Sequence, residues 1–103
     1  MEVIKKGSIE SLLVPLRDRL NNVTTLTGVS NLRFDTKKKK DATACETDKA
    51  IVLDTDYPMT AICEINSTLA AYVIAEEYGL YIKYTSGTES PILGPVYFRV
   101  EDD

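Results

Sequence analysis

Side chains able to do chemistry are few in this 103-residue chain, and they are scattered. There is no histidine. That removes the commonest general base, the commonest metal ligand and every Ser-His-Asp or Cys-His arrangement. Cys45 and Cys63 fall short of the four Cys/His ligands of a structural zinc site, and also of a disulfide framework. Asp54-Thr55-Asp56 opens like a calcium loop, but the glycine and glutamate that would complete an EF-hand do not follow, so it reads as a turn. Glu76 and Glu77 are adjacent carboxylates with no evident partner to tune them. The five glycines are scattered at turns and form no phosphate-binding loop. The sequence therefore predicts no enzyme, no cofactor and no metal.

Two features remain, and both suit contact with another surface. Lys37 to Lys40 is a run of four lysines followed by Asp41, expected as a solvated loop tip, or as a contact for an acidic partner surface or a phosphate. Six tyrosines stand against two phenylalanines and no tryptophan. A tyrosine combines an apolar ring with a polar tip and suits a surface half-covered by a partner. Tyr72, Tyr78, Tyr81 and Tyr97 lie in the last third of the chain, and strand alternation turns Tyr81 and Tyr97 outward. The candidate interface set is Tyr81, Tyr97, Arg99, Lys37, Lys38, Lys39 and Lys40.

The elements that would hold these residues read as short strands. In the last quarter, Leu80, Ile82 and Tyr84 alternate with Tyr81, Lys83 and Thr85. Val96, Phe98 and Val100 likewise alternate with Tyr97, Arg99 and Glu101, giving each strand one apolar and one wet face. Upstream, Glu2 to Lys6 is an extended start closed by Gly7. Ile9 to Arg17 places Leu12, Val14 and Leu16 on one face, and Pro15 marks an edge strand or bulge because it has no N–H to donate. Asn21-Asn22 is a turn candidate. Asn31 to Lys37 turns Leu32 and Phe34 inward and Arg33 and Asp35 outward. Ala42 to Asp48 reads as a polar loop, Ala50 to Leu53 as a short buried strand, and Pro58 to Ile65 as a strand with Met59, Ala61, Cys63 and Ile65 on one face. Asn66 to Gly79 reads as a short helix or helical turn, with Asn66 or Ser67 as its cap, although Tyr72 to Ile74 would also suit a strand.

The length fits one domain, 1–103, and short strands separated by turn signals predict an antiparallel sandwich. The net charge of −4 is unevenly placed. Residues 1–43 hold nine Lys/Arg against five Asp/Glu, and residues 44–103 hold three against eleven. Such asymmetry can orient one subunit against another, while the mild total argues against a general nucleic-acid binder. No apolar run reaches membrane-spanning length, and no signal peptide is visible. A reducing compartment during folding is expected.

The order of these elements resembles the immunoglobulin-like β-sandwich domains of tailed-bacteriophage virion proteins, such as the N-terminal domains of baseplate upper proteins. The resemblance rests on the leading strand Ile9 to Arg17, the Asp18 turn, Leu26-Thr27-Gly28, the Phe34 strand, the Gly79-Leu80-Tyr81-Ile82-Lys83-Tyr84-Thr85 strand and the closing Gly94 to Val100. Asn21-Asn22 departs from it, standing where a glycine-containing turn is common. The resemblance implies an all-β, immunoglobulin-like fold. It implies a structural or adaptor role at the neck or head–tail junction, the capsid surface, or the tail or baseplate. Partners would then be other virion proteins and further copies of the chain, with no nucleic acid and no membrane. Edge strands, including the Pro15 strand and the closing strand, would be sites for strand addition by a neighbour. A glycan-binding sandwich using exposed tyrosines is the alternative.

Overall fold

A computed structural model of the chain describes residues 1–16, 29–56, 60–88, 90 and 92–102. The expected turns at Asp18, Asn21-Asn22 and Leu26-Thr27-Gly28, and the position of Met59, lie outside these residues. Among the described residues eight strands are formed: β1 Glu2–Lys5, β2 Ile9–Pro15, β3 Val29–Lys38, β4 Ala44–Ala50, β5 Val52–Leu53, β6 Thr60–Asn66, β7 Glu77–Ser86 and β8 Ile92–Glu101. One sheet runs β1-β8-β7-β3-β4 and the other β2-β6-β5. A three-stranded sheet facing a sheet of this order is an immunoglobulin-like sandwich of the kind extended by one strand beyond the central hairpin. All pairings are antiparallel except β1 with β8, which is parallel, so the fold is not purely antiparallel.

The alternating apolar residues supply the core. Leu12, Val14 and Leu16, Phe34, Ala61, Cys63 and Ile65, Leu80, Ile82 and Tyr84, and Phe98 and Val100 are all buried. Burial pushes the Cys63 thiol up to about 12, the behaviour of a small core residue. At the turn between β6 and β7, Tyr78 stacks on Phe98 at 5.6 Å, and Tyr72 meets Tyr78 edge-to-face at 5.0 Å. The Tyr78 hydroxyl accepts from the Val73 amide (2.5 Å) and donates to the Ala71 carbonyl (3.1 Å). A tyrosine at the start of this strand, bonded to backbone a few residues upstream, is the tyrosine corner of immunoglobulin-like sandwiches.

Residues 67–76 contain no helix. Turns run through this segment, because its apolar side chains do not share a buried stripe. Tyr72 is buried, whereas Leu69, Val73 and Ile74 are exposed. The Asn66 side chain accepts from the Thr68 amide as a turn rather than as a helix cap. Residues 44–50 are a strand, not a loop. β4 is an edge strand with irregular register, and Glu46 is its only fully buried side chain, so it lacks the alternation that would reveal it. The buried strand expected at Ala50 to Leu53 is two residues long and carries an exposed Val52. Half of the lysine run is strand as well, since Lys37 and Lys38 end β3 while Lys39 and Lys40 turn. The closing strand is not an edge, because β1 covers it.

Glu46 ties the two sheets together. Its amide donates to Thr36 Oγ1 (3.1 Å), and its Oε1 accepts from the Tyr72 hydroxyl (2.6 Å) and the Asn66 amide (3.1 Å). Thr36 Oγ1 lies 2.5 Å from the Tyr72 hydroxyl and closes the ring by donating to it. Glu46 Oε2 is buried without a hydrogen-bond partner, and Lys49 Nζ stands 3.9 Å from it.

The free side of β2 follows from its register. Ser67 donates its amide to the Ser8 carbonyl, so the pairs that exchange hydrogen bonds with β6 are the even-numbered residues of β2. Asn66, opposite Ile9, accordingly sends its amide to Glu46 instead. Ile9, Ser11, Leu13 and Pro15 therefore aim their backbone at the outer edge. Pro15, which has no N–H, sits on that edge as its residue type requires.

Three substitutions test this architecture. Gly94 has φ 133°, and a Cβ there would lie 2.8 Å from the Leu80 carbonyl oxygen. Gly94→Ala is expected to lower unfolding free energy by roughly 2 kcal/mol or more in urea titrations. Gly7→Ala meets no atom within 4 Å and costs only about 1 kcal/mol for its positive φ; equal losses would contradict the crossing of β7 and β8. Tyr72→Phe removes a donor from a buried carboxylate and should cost about 1–3 kcal/mol, whereas a change below about 0.5 kcal/mol, typical of surface sites, would show that the ring is not formed.

Candidate interface on the five-stranded sheet

Alternation along β3, β7 and β8 puts one set of side chains in the core and the other on the outer face of the five-stranded sheet. Pairing places Asp35 beside Tyr81, Arg33 beside Lys83, and Lys37, Gly79 and Tyr97 in one row. Glu77 is opposite Arg99 in the next row. With no side chain at Gly79, the Tyr81 ring leans across it: a Cβ at Gly79 would stand 3.2 Å from Tyr81 Cε2 and 3.1 Å from Pro95 Cβ.

The cations settle over these rings. Lys37 Nζ lies 5.3 Å from the Tyr81 ring centroid, and Lys39 Nζ lies 4.7 Å from that of Tyr97. At an exposed site each such contact is worth about 0.5–1 kcal/mol, so its main effect is to fix the side chains rather than the fold. Lys39 also pairs with Glu77 Oε2 at 3.1 Å, and its amide donates to the Glu77 carbonyl at 3.0 Å. Arg99 pairs with Glu101 on the same strand. Beside them Lys39, Lys40, Ala75, Glu76, Glu77 and Arg99 line an open cleft of about 420 Å³.

Five of the seven predicted residues (Tyr81, Tyr97, Arg99, Lys37 and Lys39) therefore share one face, and Lys40 lies at its margin. Lys38 does not join them. It is in register with buried Tyr78 and takes the other side of the strand end, where its backbone closes the turn to Thr43 and Ala42. Tyr72 and Tyr78 are core residues.

Lower on the same face is a charge network that sequence reading missed. Lys83 bonds Asp35 at 2.9 Å and also contacts Asp48, which Arg33 reaches at 3.0 Å. The hydrogen bonds that Lys83 donates to Asp48 and Asp35 raise its pKa above the ordinary value. The Lys83 hydrogen bond, helped by Arg33, holds the Asp48 carboxyl below the usual range. The outward placement of Arg33 and Asp35 was readable. Asp48 was not, because it lies in the strand that reads as a loop.

No protein-family model and no curated protein matches the chain.

The charge network gives a titration test. A carboxylate with a depressed folded pKa stabilises the fold above its ordinary pKa, and that contribution is lost as pH falls through the folded value. In Lys83→Met, carboxyl-carbon NMR should show the Asp48 midpoint moving upward, toward about 3.9. An unchanged midpoint would mean that the two groups do not meet in solution.

Proposed function

We propose that this chain is a structural or adaptor protein of a tailed-bacteriophage virion, acting through protein–protein contacts. Its place would be the neck or head–tail junction, the capsid surface, or the tail or baseplate. The observation that carries this reading is the outer face of the five-stranded sheet. Tyr81 and Tyr97 stand there under Lys37 and Lys39, so ring area and charge are offered in fixed positions. Contact surfaces gain when their side chains are ordered before the partner arrives, because less rotamer freedom is lost on binding. Tyrosine and arginine are also the residue types enriched at such surfaces.

The same geometry weighs against the glycan-binding alternative. A sugar ring would need an open tyrosine face, and here a lysine ammonium occupies one side of each ring. The partners proposed are other virion proteins and further copies of this chain.

Mass spectrometry of gradient-purified phage particles made from the genome that encodes this chain tests the proposal. The chain should be recovered at several copies per particle, retained after a high-salt wash. Its absence from purified particles, while abundant in the lysate, would overturn the virion role.

A further inference from the structure

Among the described residues four strands lie at sheet edges: β1, β4, β2 and β5. Exposed edges invite pairing with another chain, and proteins blunt them with charges, bulges, proline or shortness. β1 has four residues and carries Glu2 and Lys5. β4 is irregular in register, with exposed Thr47, Asp48 and Lys49. β5 has two residues. β2 differs: seven residues long, it has its proline only at the last position and its one charge, Glu10, on the inner side with Leu12 and Val14, and among the described residues no strand pairs with its outer side. Its outward side chains include Ile9, 58% exposed, and Leu13, 62% exposed.

Building on the assembly role proposed above, we propose that β2 is a self-pairing edge: a second copy of this chain adds its own β2 antiparallel across a two-fold axis at Ser11. The register follows from backbone parity. Ile9, Ser11 and Leu13 face the edge, so the residues that exchange hydrogen bonds must be odd with odd. Centring on Ser11 sets Ile9 opposite the partner's Leu13, Ser11 opposite the partner's Ser11, and Leu13 opposite the partner's Ile9. Each exposed aliphatic then meets another, in the cross-strand contact that stabilises sheets. Pro15 falls at the end of the seam opposite the partner's Gly7, where its missing N–H costs little.

Charge is compatible with this seam. The outer-face side chains of β2 are Ile9, Ser11, Leu13 and Pro15, all uncharged. Among the described residues, Glu64 is an outward charge on the next strand, in register with Ser11. The two Glu64 residues would be three strand spacings apart, about 14 Å, beyond the screening length of about 8–10 Å at physiological salt. The row Val52–Ile62–Leu13, set by the register across the three strands, would continue into the partner's Ile9. A seven-residue seam is small beside the roughly 1,000 Å² expected of a stable interface. The pairing is therefore weak between free copies and is reinforced where several copies are held together.

Two measurements test the seam. Hydrogen-bonded antiparallel partners have Cα atoms about 5.5 Å apart, within disulfide range of roughly 4.4–6.8 Å. Ser11 is exposed, so Ser11→Cys in a Cys45→Ser background should fold and give disulfide-linked dimers on mild oxidation at millimolar concentration. Glu64→Cys in the same background should give none. Absence of Ser11→Cys dimers, or equal cross-linking at Glu64, overturns the seam. Sedimentation separates this inference from the proposed function. An aliphatic seam between copies of net charge −4 should associate more strongly as salt rises, and Leu13→Lys should abolish it. Self-association that weakens with salt and survives Leu13→Lys would place the contact on the lysine-tyrosine face. That outcome refutes the β2 seam but leaves the virion role standing, and recovery in particles is read separately.

Discussion

A single buried carboxylate holds the architecture in register. Glu46 lies on the edge strand of the larger sheet, 4% exposed, and reaches the smaller sheet through the Asn66 amide. Burying a charge is unfavourable unless its hydrogen bonds are made. Here Tyr72 and Asn66 serve Oε1 while Thr36 receives the Glu46 amide, so the residue satisfies three elements at once. Removing Tyr72 or Thr36 takes a partner from a buried polar group, which costs more than the net gain from an ordinary hydrogen bond. The ring therefore fixes where β4, the start of β6's outgoing turn and Tyr72 must be.

The aromatic corner depends on that placement. Tyr72, held by Glu46, packs on Tyr78, which stacks on Phe98. Tyr78 starts the strand that also carries Tyr81, three residues on and therefore on the opposite face. Fixing Tyr78 inward thereby fixes Tyr81 outward, and the β7–β8 pairing carries the same alternation to Tyr97. The interior and the displayed face are two sides of one register. A slip by one residue would bury Lys83 and expose Ile82.

The sequence revealed whatever had period-two alternation. Leu80, Ile82 and Tyr84, Phe98 and Val100, Leu12, Val14 and Leu16, and Ala61, Cys63 and Ile65 are inward as their spacing requires. Tyr97 is outward, and Pro15 marks an edge. Three parts were not legible. β4 hides because its one inward side chain in mid-strand is a glutamate, which reads as solvated until Tyr72 and Asn66 are seen beside it. The segment 67–76 imitates a helix because Leu69, Tyr72 and Val73 have helical spacing, yet only Tyr72 is buried; a long-range bond to Glu46 decides, not the local pattern. The parallel β1–β8 pair makes the closing strand internal, and no local signal announces which strand a short N-terminal segment will join.

Native-state hydrogen exchange at the Glu46 and Asn66 amides tests whether the buried ring joins the two sheets. Both amides donate into the buried ring, so both should exchange only through global unfolding, with opening free energies equal to the stability measured in denaturant. Exchange of either at the rate of an exposed loop amide, while the β7 amides remain protected, would contradict the account that this ring joins the two sheets.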